Sequence, residues 1–369
     1  MTEYNKPTAQ ISDFRVTKTL TPKVKPDGRD LGFGKHFTDH LFLVKFSKSE
    51  GWHQPEIIPY QDFHINPAAS VFHYGQALFE GMKAFKYPNG EPILFRPEYN
   101  CDRLAAGAER LCMQAPPKKL MLSGIKQLVH LDQDWIPTEE GCALYIRPTL
   151  IGTEGFLGVR PSEEYFFYVI LSPVGSYYGS QLKPIPIWIE TTDLRAAPGG
   201  LGATKAGANY AASLRAAVQA RKKGFSQVLW LDAEHQAIEE VGTMNVFFVI
   251  KDRLITPALN GSILAGNTRD CVLALAKEWG WAVEERRITL NELVQASASG
   301  DLQECFGTGT AATISPVSLL ESEHHRLAIG TENSLPALQI GPRAKKLYDE
   351  LSGLQRGKIK DTRGWVVPV

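Results

Sequence analysis

Alternating and periodic hydrophobic positions divide the first half of the chain into short strands and two helices. Runs of apolar, β-branched and aromatic residues, bounded by Gly, Pro and Asn, predict strands over 40–46, 77–87, 92–97, 143–151 and 164–172. Between these runs, apolar residues at three- and four-residue spacing predict amphipathic helices over 100–113 and 123–136. Strands and helices interspersed in this way indicate an α/β domain of the α+β type.

The second half of the chain shows short strand patterns around two helices. The segments PIWIE, QVLWLD, GTMNVFFVI and RLITP predict strands that begin near residues 186, 227, 242 and 253. The segments NYAASLRAAVQARKKG and NTRDCVLALAKEWG predict helices. Short strands joined by tight turns favour a mixed sheet or pseudo-barrel over a doubly wound Rossmann fold.

The segment PVGSYYGSQLKPIP has the composition of an interdomain linker, because it carries glycines, serines and three prolines between two strand patterns. We therefore expect four parts along the chain. They are a polar N-terminal arm over 1–30, a smaller α/β domain over 31–173, a linker over 174–186, and a larger domain over 187–369 that carries the mixed sheet or pseudo-barrel.

Composition and charge narrow the class of protein. The 369 residues include 40 basic and 40 acidic side chains with no long block of one sign, which argues against a nucleic-acid or anionic membrane surface. Small neutral or zwitterionic partners fit better. The five cysteines form no CxxC pair, which argues against a disulfide framework and a structural metal site. With no basic start followed by an apolar run, these features lead us to expect a cytoplasmic protein without a metal.

One lysine lies in a permissive stretch, LGATKAGANYAAS, where glycines and alanines leave room for a flat ligand near the backbone. A solvated loop lysine is the simpler interpretation of Lys205 taken alone. A P-loop is disfavoured, because it needs Gly before the lysine and Ser or Thr after it, whereas Thr204 and Ala206 flank this one. An enclosed lysine amine can instead attack a carbonyl group, and pyridoxal phosphate is a cofactor that offers one.

Pyridoxal phosphate would need a phosphate cradle. Gly266, Asn267 and Thr268 open a predicted helix, where free N–H groups favour a phosphate. The Gly- and Thr-rich segment 307–312 offers a second loop of accessible amides. Each segment taken alone is equally consistent with an ordinary helix cap or turn.

The cofactor would also need an acid for its ring nitrogen and a donor for its ring oxygen. Glu239 and Glu240 precede a strongly apolar strand, and strand alternation turns only one of them inward. A solvated acidic pair is the alternative interpretation. Tyr210 follows Lys205 closely and could donate to the ring oxygen, although a core tyrosine fits the same pattern.

Six segments in the order HYGQALFEGMKAF, LYIRPTLIG, ATKAGANYAASL, EEVGTMN, ILAGNTRD and GTGTAATISPV resemble the branched-chain aminotransferases, which are fold-type IV pyridoxal-phosphate enzymes. The resemblance covers roughly residues 30 to 345. It implies that Lys205 is the catalytic Schiff-base lysine, that Tyr210 serves the ring oxygen and that Glu240, rather than Glu239, serves the pyridine nitrogen. The implied cofactor-binding residues are Arg103, Lys205, Tyr210, Glu240, Gly266, Asn267, Thr268 and Thr310. The implied substrate-binding residues are Phe33, Tyr74, Phe79, Tyr145, Arg147, Tyr177, Thr243 and Ala311.

The resemblance further implies a reversible ping-pong transfer of the amino group between leucine, isoleucine or valine and 2-oxoglutarate, in a homodimer. It does not rank the three amino acids. Alternatives within the same chemistry are a D-amino acid or amine transaminase and an aminodeoxychorismate lyase. An alternative of a different class is a non-catalytic module that binds phosphates or nucleotides through the same glycine-rich loops.

Overall fold

The computed structural model describes residues 14–28, 30–175, 182–330 and 340–369. Contacts between residues group the chain into two compact units. Unit 1 comprises Met1–Tyr177, Thr204–Gly207 and Leu354–Val369, and unit 2 comprises Tyr178–Ala203 and Ala208–Gly353. The tetrapeptide that carries Lys205 thus belongs to unit 1, although it follows the predicted linker in sequence. The predicted division at 174–186 stays a prediction.

Strands outnumber helices in the described residues. The strands are β1 (Arg15–Val16), β2 (His40–Ser47), β3 (Gly51–Pro59), β4 (Ala77–Phe79), β5 (Met82–Lys86), β6 (Pro92–Phe95), β7 (Ala143–Gly152), β8 (Glu164–Val174), β9 (Ile185–Ile189), β10 (Gln227–Leu231), β11 (Ile238–Val241), β12 (Met244–Ile250), β13 (Arg253–Pro257), β14 (Val283–Arg286), β15 (Leu302–Gly309), β16 (Thr313–Glu321), β17 (Arg326–Ala328) and β18 (Val366–Pro368). The helices are α1 (Ser70–Tyr74), α2 (Pro97–Arg110), α3 (Lys118–Leu131), α4 (Gly207–Lys222), α5 (Asn267–Glu278), α6 (Leu290–Ala298) and α7 (Pro342–Gln355).

Unit 1 is built on one twisted sheet. Its strand order is β1-β3-β2-β8-β7-β5-β6-β18, and β4 pairs with β7 beside β5. All pairs are antiparallel except β1 with β3. The long β7–β8 pairing runs from Ala143 opposite Val174 to Gly152 opposite Tyr165 and forms the centre of the sheet. Helices α2 and α3 pack against each other, and α3 covers β2, β3 and β8.

Helix α2 positions two polar side chains of the site. Its buried positions follow helical spacing, from Pro97 through Cys101 and Leu104 to Ala108, as an amphipathic helix requires. The helix starts at Pro97, three residues before the predicted start, because proline is well suited to the first helical position. Asn100 lies on the same buried face, so its amide must find a polar partner inside the protein.

Unit 2 contains a closed six-stranded pseudo-barrel in the order β11-β10-β9-β16-β15-β12, completed by pairing of β11 with β12. Strands β13 and β14 extend the sheet from β12, and β17 pairs with β16. Every residue of β12 is buried, which explains why MNVFFVI is a continuous apolar run. The apolar core includes Ile187, Leu229, Val246 and Phe248. The predicted α/β fold with a pseudo-barrel in its second half is confirmed.

Within the described ranges, the structure contains no helix long and apolar enough to cross a membrane.

Candidate active site

The main chain of Lys205 is fixed against the end of β4 in unit 1. The amide of Phe79 donates a hydrogen bond to the Lys205 carbonyl oxygen at 3.2 Å, and Ala206 forms an isolated β-bridge with Leu78. The Lys205 ammonium nitrogen lies 5.0 Å from the centroid of the Phe79 ring. The small residues next to Lys205 therefore allow its backbone to lie directly beside a strand end.

Burial and neighbouring charges act together on the Lys205 amine. Removal from bulk water is the largest cause that lowers its pKa below the ordinary value of a lysine, and the charges of Arg103 and Arg147 lower it further. The charges of Glu80 and Tyr145 act in the opposite direction. The lowered pKa enlarges the fraction of neutral amine near pH 7, and the neutral amine is the form that reacts with carbonyl groups.

A buried carboxylate, Glu80, is paired with Arg103. Glu80 is 1% exposed and accepts two parallel hydrogen bonds from Arg103, from Nε at 2.7 Å and from Nη2 at 2.8 Å. The Asn100 side-chain amide donates to the same carboxylate at 2.7 Å. Burial alone would raise the pKa of Glu80, but the charge and hydrogen bonds of Arg103, together with Lys205 and Asn100, outweigh burial and lower it. Glu80 is therefore ionised at neutral pH.

Aromatic rings and a second arginine surround the same lysine. The Arg147 guanidinium carbon lies 4.5 Å from the centroid of the Phe79 ring, and Arg147 Nη2 donates to the Tyr145 hydroxyl at 3.1 Å. The Phe33 and Tyr145 rings meet edge to face, with centroids 4.9 Å apart. Arg147 Nε is buried and has no hydrogen-bond partner in the described part of the chain. An anionic group of a ligand would satisfy that N–H.

Of three other predicted substrate-binding residues, the structure describes two. Tyr74 ends helix α1, is 44% exposed and donates a hydrogen bond to the main-chain oxygen of Leu157. Thr243 is exposed in the turn between β11 and β12 of unit 2. Tyr177 lies outside the described residues.

Glu240 of unit 2 is buried and held by two neighbours. Its Oε1 accepts a hydrogen bond from the amide of Leu264 at 2.8 Å, and its Oε2 lies 3.5 Å from Arg195 Nε. Glu239 is also buried, at 1% exposure, and accepts a hydrogen bond from the Ser262 hydroxyl. Both carboxylates are therefore buried, on opposite faces of β11, and the alternative of a solvated acidic pair is wrong.

Gly266 caps the start of α5, where Asn267 and Thr268 form the first turn. A Cβ atom at Gly266 would overlap Asn245 Oδ1. The Asn245 side chain cannot easily move away, since its Nδ2 donates to the Leu264 carbonyl oxygen at 2.8 Å. Only glycine fits this approach of the two segments. It leaves the N-terminal amides of α5 beside the loop that also bonds Glu240.

Thr310 and Ala311 lie in the short connection between β15 and β16. Thr313, at the end of that connection, has φ of 62°, a conformation that is costly for a β-branched residue. The Thr308 hydroxyl in β15 is buried and has no hydrogen-bond partner in the described ranges. A constrained loop with an unsatisfied hydroxyl close by is typical of a ligand-binding segment. Tyr210 lies in the first turn of α4, partly buried.

The chemistry of these groups can be compared with the needs of pyridoxal phosphate. Unit 1 contains an amine of lowered pKa, Lys205, and an oriented arginine, Arg103. Unit 2 contains a buried carboxylate, Glu240, and the start of helix α5 at Gly266. An amine for the aldehyde, donors for the phosphate and a carboxylate for the pyridine nitrogen are the groups that this cofactor requires. The residues present therefore fit the cofactor.

Sequence reasoning missed Glu80, Asn100 and Arg195. The sequence does carry a signal for Glu80, because it is a single acidic residue inside the apolar run ALFEGM, and acidic residues are rarely buried unless paired. Asn100 on the apolar face of α2 is a comparable signal. In the described ranges no three His, Cys, Asp or Glu side chains cluster as metal ligands would.

Comparison with known proteins gives consistent results. The family model of amino-transferase class IV matches residues 77–320. The chain is 50% identical to branched-chain-amino-acid aminotransferase 2 of Bacillus subtilis over 96% of this chain and 97% of the relative. It is 44% identical to the branched-chain-amino-acid aminotransferase of Mycolicibacterium smegmatis over 91% of each chain.

Solved structures show the same relationship. The branched-chain amino acid aminotransferase of Escherichia coli matches with a TM-score of 0.72 and 26% identity, covering 89% of this chain and 98% of the other. A second branched-chain amino acid aminotransferase, from T.th. and complexed with N-(5'-phosphopyridoxyl)-L-glutamate, matches with a TM-score of 0.70 and 25% identity, covering 88% of this chain and 97% of the other.

Proposed function

We propose a residue-level account of catalysis from the premise that this chain belongs to the class IV aminotransferases and is a branched-chain amino acid aminotransferase that uses pyridoxal phosphate. The observation that carries the proposal is the environment of Lys205. Its amine has a lowered pKa, to which the charges of Arg103 and Arg147 contribute. The centroid of the Phe79 ring lies 5.0 Å from its Nζ. The enzyme moves the amino group of leucine, isoleucine or valine to 2-oxoglutarate, and the reaction is reversible.

Lys205 is the catalytic residue. When bound, the cofactor supplies an aldehyde for the amino group and a ring that withdraws electrons from the substrate Cα. The neutral Nζ of Lys205 would accept the proton from that Cα and hold it for return during transamination. The lowered pKa of Lys205 suits a general base, because a base must be unprotonated at the operating pH to accept a proton.

Other side chains bind and orient the cofactor. Arg103, Thr310 and the first-turn groups of Asn267 and Thr268 hold the phosphate, with Gly266 giving access to the helix amides. Glu240 keeps a proton on the pyridine nitrogen, and Arg195 together with the Leu264 amide holds the Glu240 carboxylate in one orientation. Tyr210 donates to the ring oxygen.

Three aromatic side chains of unit 1 bind the side chain of the substrate. Phe33, Phe79 and Tyr145 form apolar walls that suit an aliphatic side chain. Arg147 Nε lacks a hydrogen-bond partner in the described ranges. Arg147 binds the second carboxylate when glutamate or 2-oxoglutarate is the substrate. Tyr74, Tyr177, Thr243 and Ala311 complete the proposed substrate-binding set.

We further propose a homodimer located in the cytoplasm. Four large apolar side chains on α1 and on the loop after β7 are exposed, Phe72, Phe156, Leu157 and Val159, and exposed apolar patches mark interaction surfaces. All five cysteines are free thiols, which suits a reducing compartment. Light scattering of the purified protein measures the oligomeric state, and a monomeric mass at working concentration would contradict the dimer.

The assignment of Lys205 is tested by Lys205→Ala, with Lys222→Ala at the exposed end of α4 as the matched control. We expect Lys205→Ala to lose transamination of L-leucine with 2-oxoglutarate, by about 10⁴-fold or more, as enzymes do on loss of a nucleophile that is also the base. Lys222→Ala should retain the wild-type rate. Substantial turnover by Lys205→Ala would overturn the assignment. D-alanine and simple amines should give little turnover with the wild-type enzyme.

A further inference from the structure

We propose, on the premise that the enzyme binds pyridoxal phosphate as described above, that Glu80 is a positioning residue. It fixes the guanidinium of Arg103 for the cofactor phosphate and sets the electrostatic environment of Lys205 Nζ.

The Glu80 carboxylate is itself held rigidly. Its Oε1 accepts from Arg103 Nε at 2.7 Å. Its Oε2 accepts from Arg103 Nη2 at 2.8 Å, from the Asn100 amide at 2.7 Å and from the Gly81 main-chain amide at 3.2 Å. Asn100 also donates to the Gly81 carbonyl oxygen at 3.1 Å. Four donors around a side chain that is 1% exposed leave the carboxylate a single orientation.

That rigidity passes to Arg103. Two parallel bonds along one edge of the guanidinium fix its plane as well as its position, which one bond or a lysine could not do. Asn100 and Arg103 lie one turn apart on α2, so the helix presents both donors to the same carboxylate. An arginine held in this way binds a phosphate without first losing the rotational freedom of its long side chain.

Glu80 also balances the charges at Lys205. The Phe79 amide, next to Glu80 in the chain, donates to the Lys205 carbonyl oxygen at 3.2 Å, which brings the Glu80 segment beside Lys205. The charges that act on the Lys205 amine are those of Arg103 from α2, Arg147 and Tyr145 from β7, and Glu80 from the connection between β4 and β5. Without the charge of Glu80, the two arginines would lower the pKa of Lys205 further. The nearby Cys101 thiol adds no charge at neutral pH, because burial first and the Glu80 charge second raise its pKa to about 12.

Two variants separate geometry from charge. Glu80→Asp keeps the charge but withdraws the carboxylate by one methylene, so it cannot bond Arg103, Asn100 and Gly81 together. Glu80→Gln keeps the reach but loses the charge. The matched control is Asp102→Asn on α2, the helix that carries Arg103. It removes the charge of an exposed carboxylate paired with Lys118.

The first measurement compares the dissociation constants of pyridoxal phosphate and of pyridoxal for the apoenzyme of each protein. We expect the preference for the phosphorylated form to fall about tenfold in Glu80→Asp, as on loss of other buried groups that orient a ligand-binding side chain. Asp102→Asn should keep the wild-type preference. A general loss of folding would weaken binding of both compounds equally and would not change the preference.

The second measurement follows the visible absorbance of the bound cofactor against pH. We expect its midpoint to fall by about one pH unit in Glu80→Gln, and to stay near the wild-type value in Glu80→Asp and Asp102→Asn. An unchanged or increased phosphate preference in Glu80→Asp, or an unchanged midpoint in Glu80→Gln, overturns the inference. If the wild-type protein bound no pyridoxal phosphate at all, the proposed function itself would fail.

Discussion

Replacing Gly266 by alanine tests whether the start of α5 has to approach Asn245 as closely as the structure shows. A Cβ at Gly266 would overlap Asn245 Oδ1. Asn245 is 5% exposed and bonded to Leu264, so the segment 264–267 must move instead. Restoring ordinary van der Waals separation requires a displacement of about 1 Å or more.

A movement of that size affects two parts of the proposed site in unit 2. The first-turn amides of α5 would shift, and so would Leu264, whose amide bonds Glu240 at 2.8 Å. Misplacement by about 1 Å can reduce catalysis about 10²-fold, and we expect the affinity for pyridoxal phosphate to fall by a similar factor, or about 2.7 kcal/mol. The protein should remain folded, since overpacking at one site typically costs about 1–3 kcal/mol.

The assay is a titration of the apoenzyme with pyridoxal phosphate, followed by absorbance or by quenching of tryptophan fluorescence. Gly207→Ala is the control, because a Cβ there would meet only Ala77, at 3.9 Å. That variant should bind the cofactor as the wild-type protein does. A Gly266→Ala protein with wild-type affinity would refute the argument that this close approach positions the phosphate-binding turn.

Two further predictions concern Arg147 and Lys83. Arg147→Gln should raise KM for 2-oxoglutarate about 10- to 100-fold and leave KM for L-leucine within about threefold. The reason is that only the dicarboxylate needs the guanidinium. Equal increases in KM for both substrates in steady-state assays would contradict this role. Lys83 in β5 is 8% exposed, and burial, with a smaller effect of Arg356, lowers its pKa to about 8. Between about pH 8 and pH 10.5 the unfolded chain therefore holds a proton that the folded protein has released, so stability rises with pH over this window, by at most ~3 kcal/mol. Urea unfolding of wild-type protein and Lys83→Met across that range should show a rise that the variant lacks, and parallel curves would refute the attribution to Lys83.

Sequence patterns were informative wherever one physical effect dominated. The runs around β2, β7, β8 and β12 are strongly apolar and bounded by turn residues, and each forms the predicted strand. The amphipathic spacing of α2 and α5 likewise predicts both helices to within a few residues. The pseudo-barrel followed from these short strands and from the resemblance of six segments to one family.

Other elements depend on pairing that local sequence does not reveal. Strands β15 and β16 contain Gly307, Gly309 and Pro316, residues that weaken a strand prediction, yet β15 is stabilised between β12 and β16. The run 77–87 was predicted as one strand, whereas the structure divides it into β4 and β5 around Glu80 and Gly81. At this break the Glu80 carboxylate accepts a hydrogen bond from Arg103, a partner 23 residues away that the local sequence does not reveal.

In the candidate site, too, local sequence identifies some residues and not others. Lys205 could be singled out from its own neighbours in sequence, because the small residues around it are unusual for an ordinary loop lysine. Arg103 gave no local signal, since an arginine on an amphipathic helix is usually exposed to solvent. The structure explains its burial through the paired carboxylate of Glu80, an interaction between distant parts of the sequence.

The residue that carries the cofactor can be identified chemically. The purified holoenzyme is reduced with borohydride and digested, and mass spectrometry identifies the peptide that bears the pyridoxyl phosphate group. We expect one modified residue, Lys205, within the segment ATKAGANY. Modification of a different lysine, or no modified peptide from active enzyme, would contradict it.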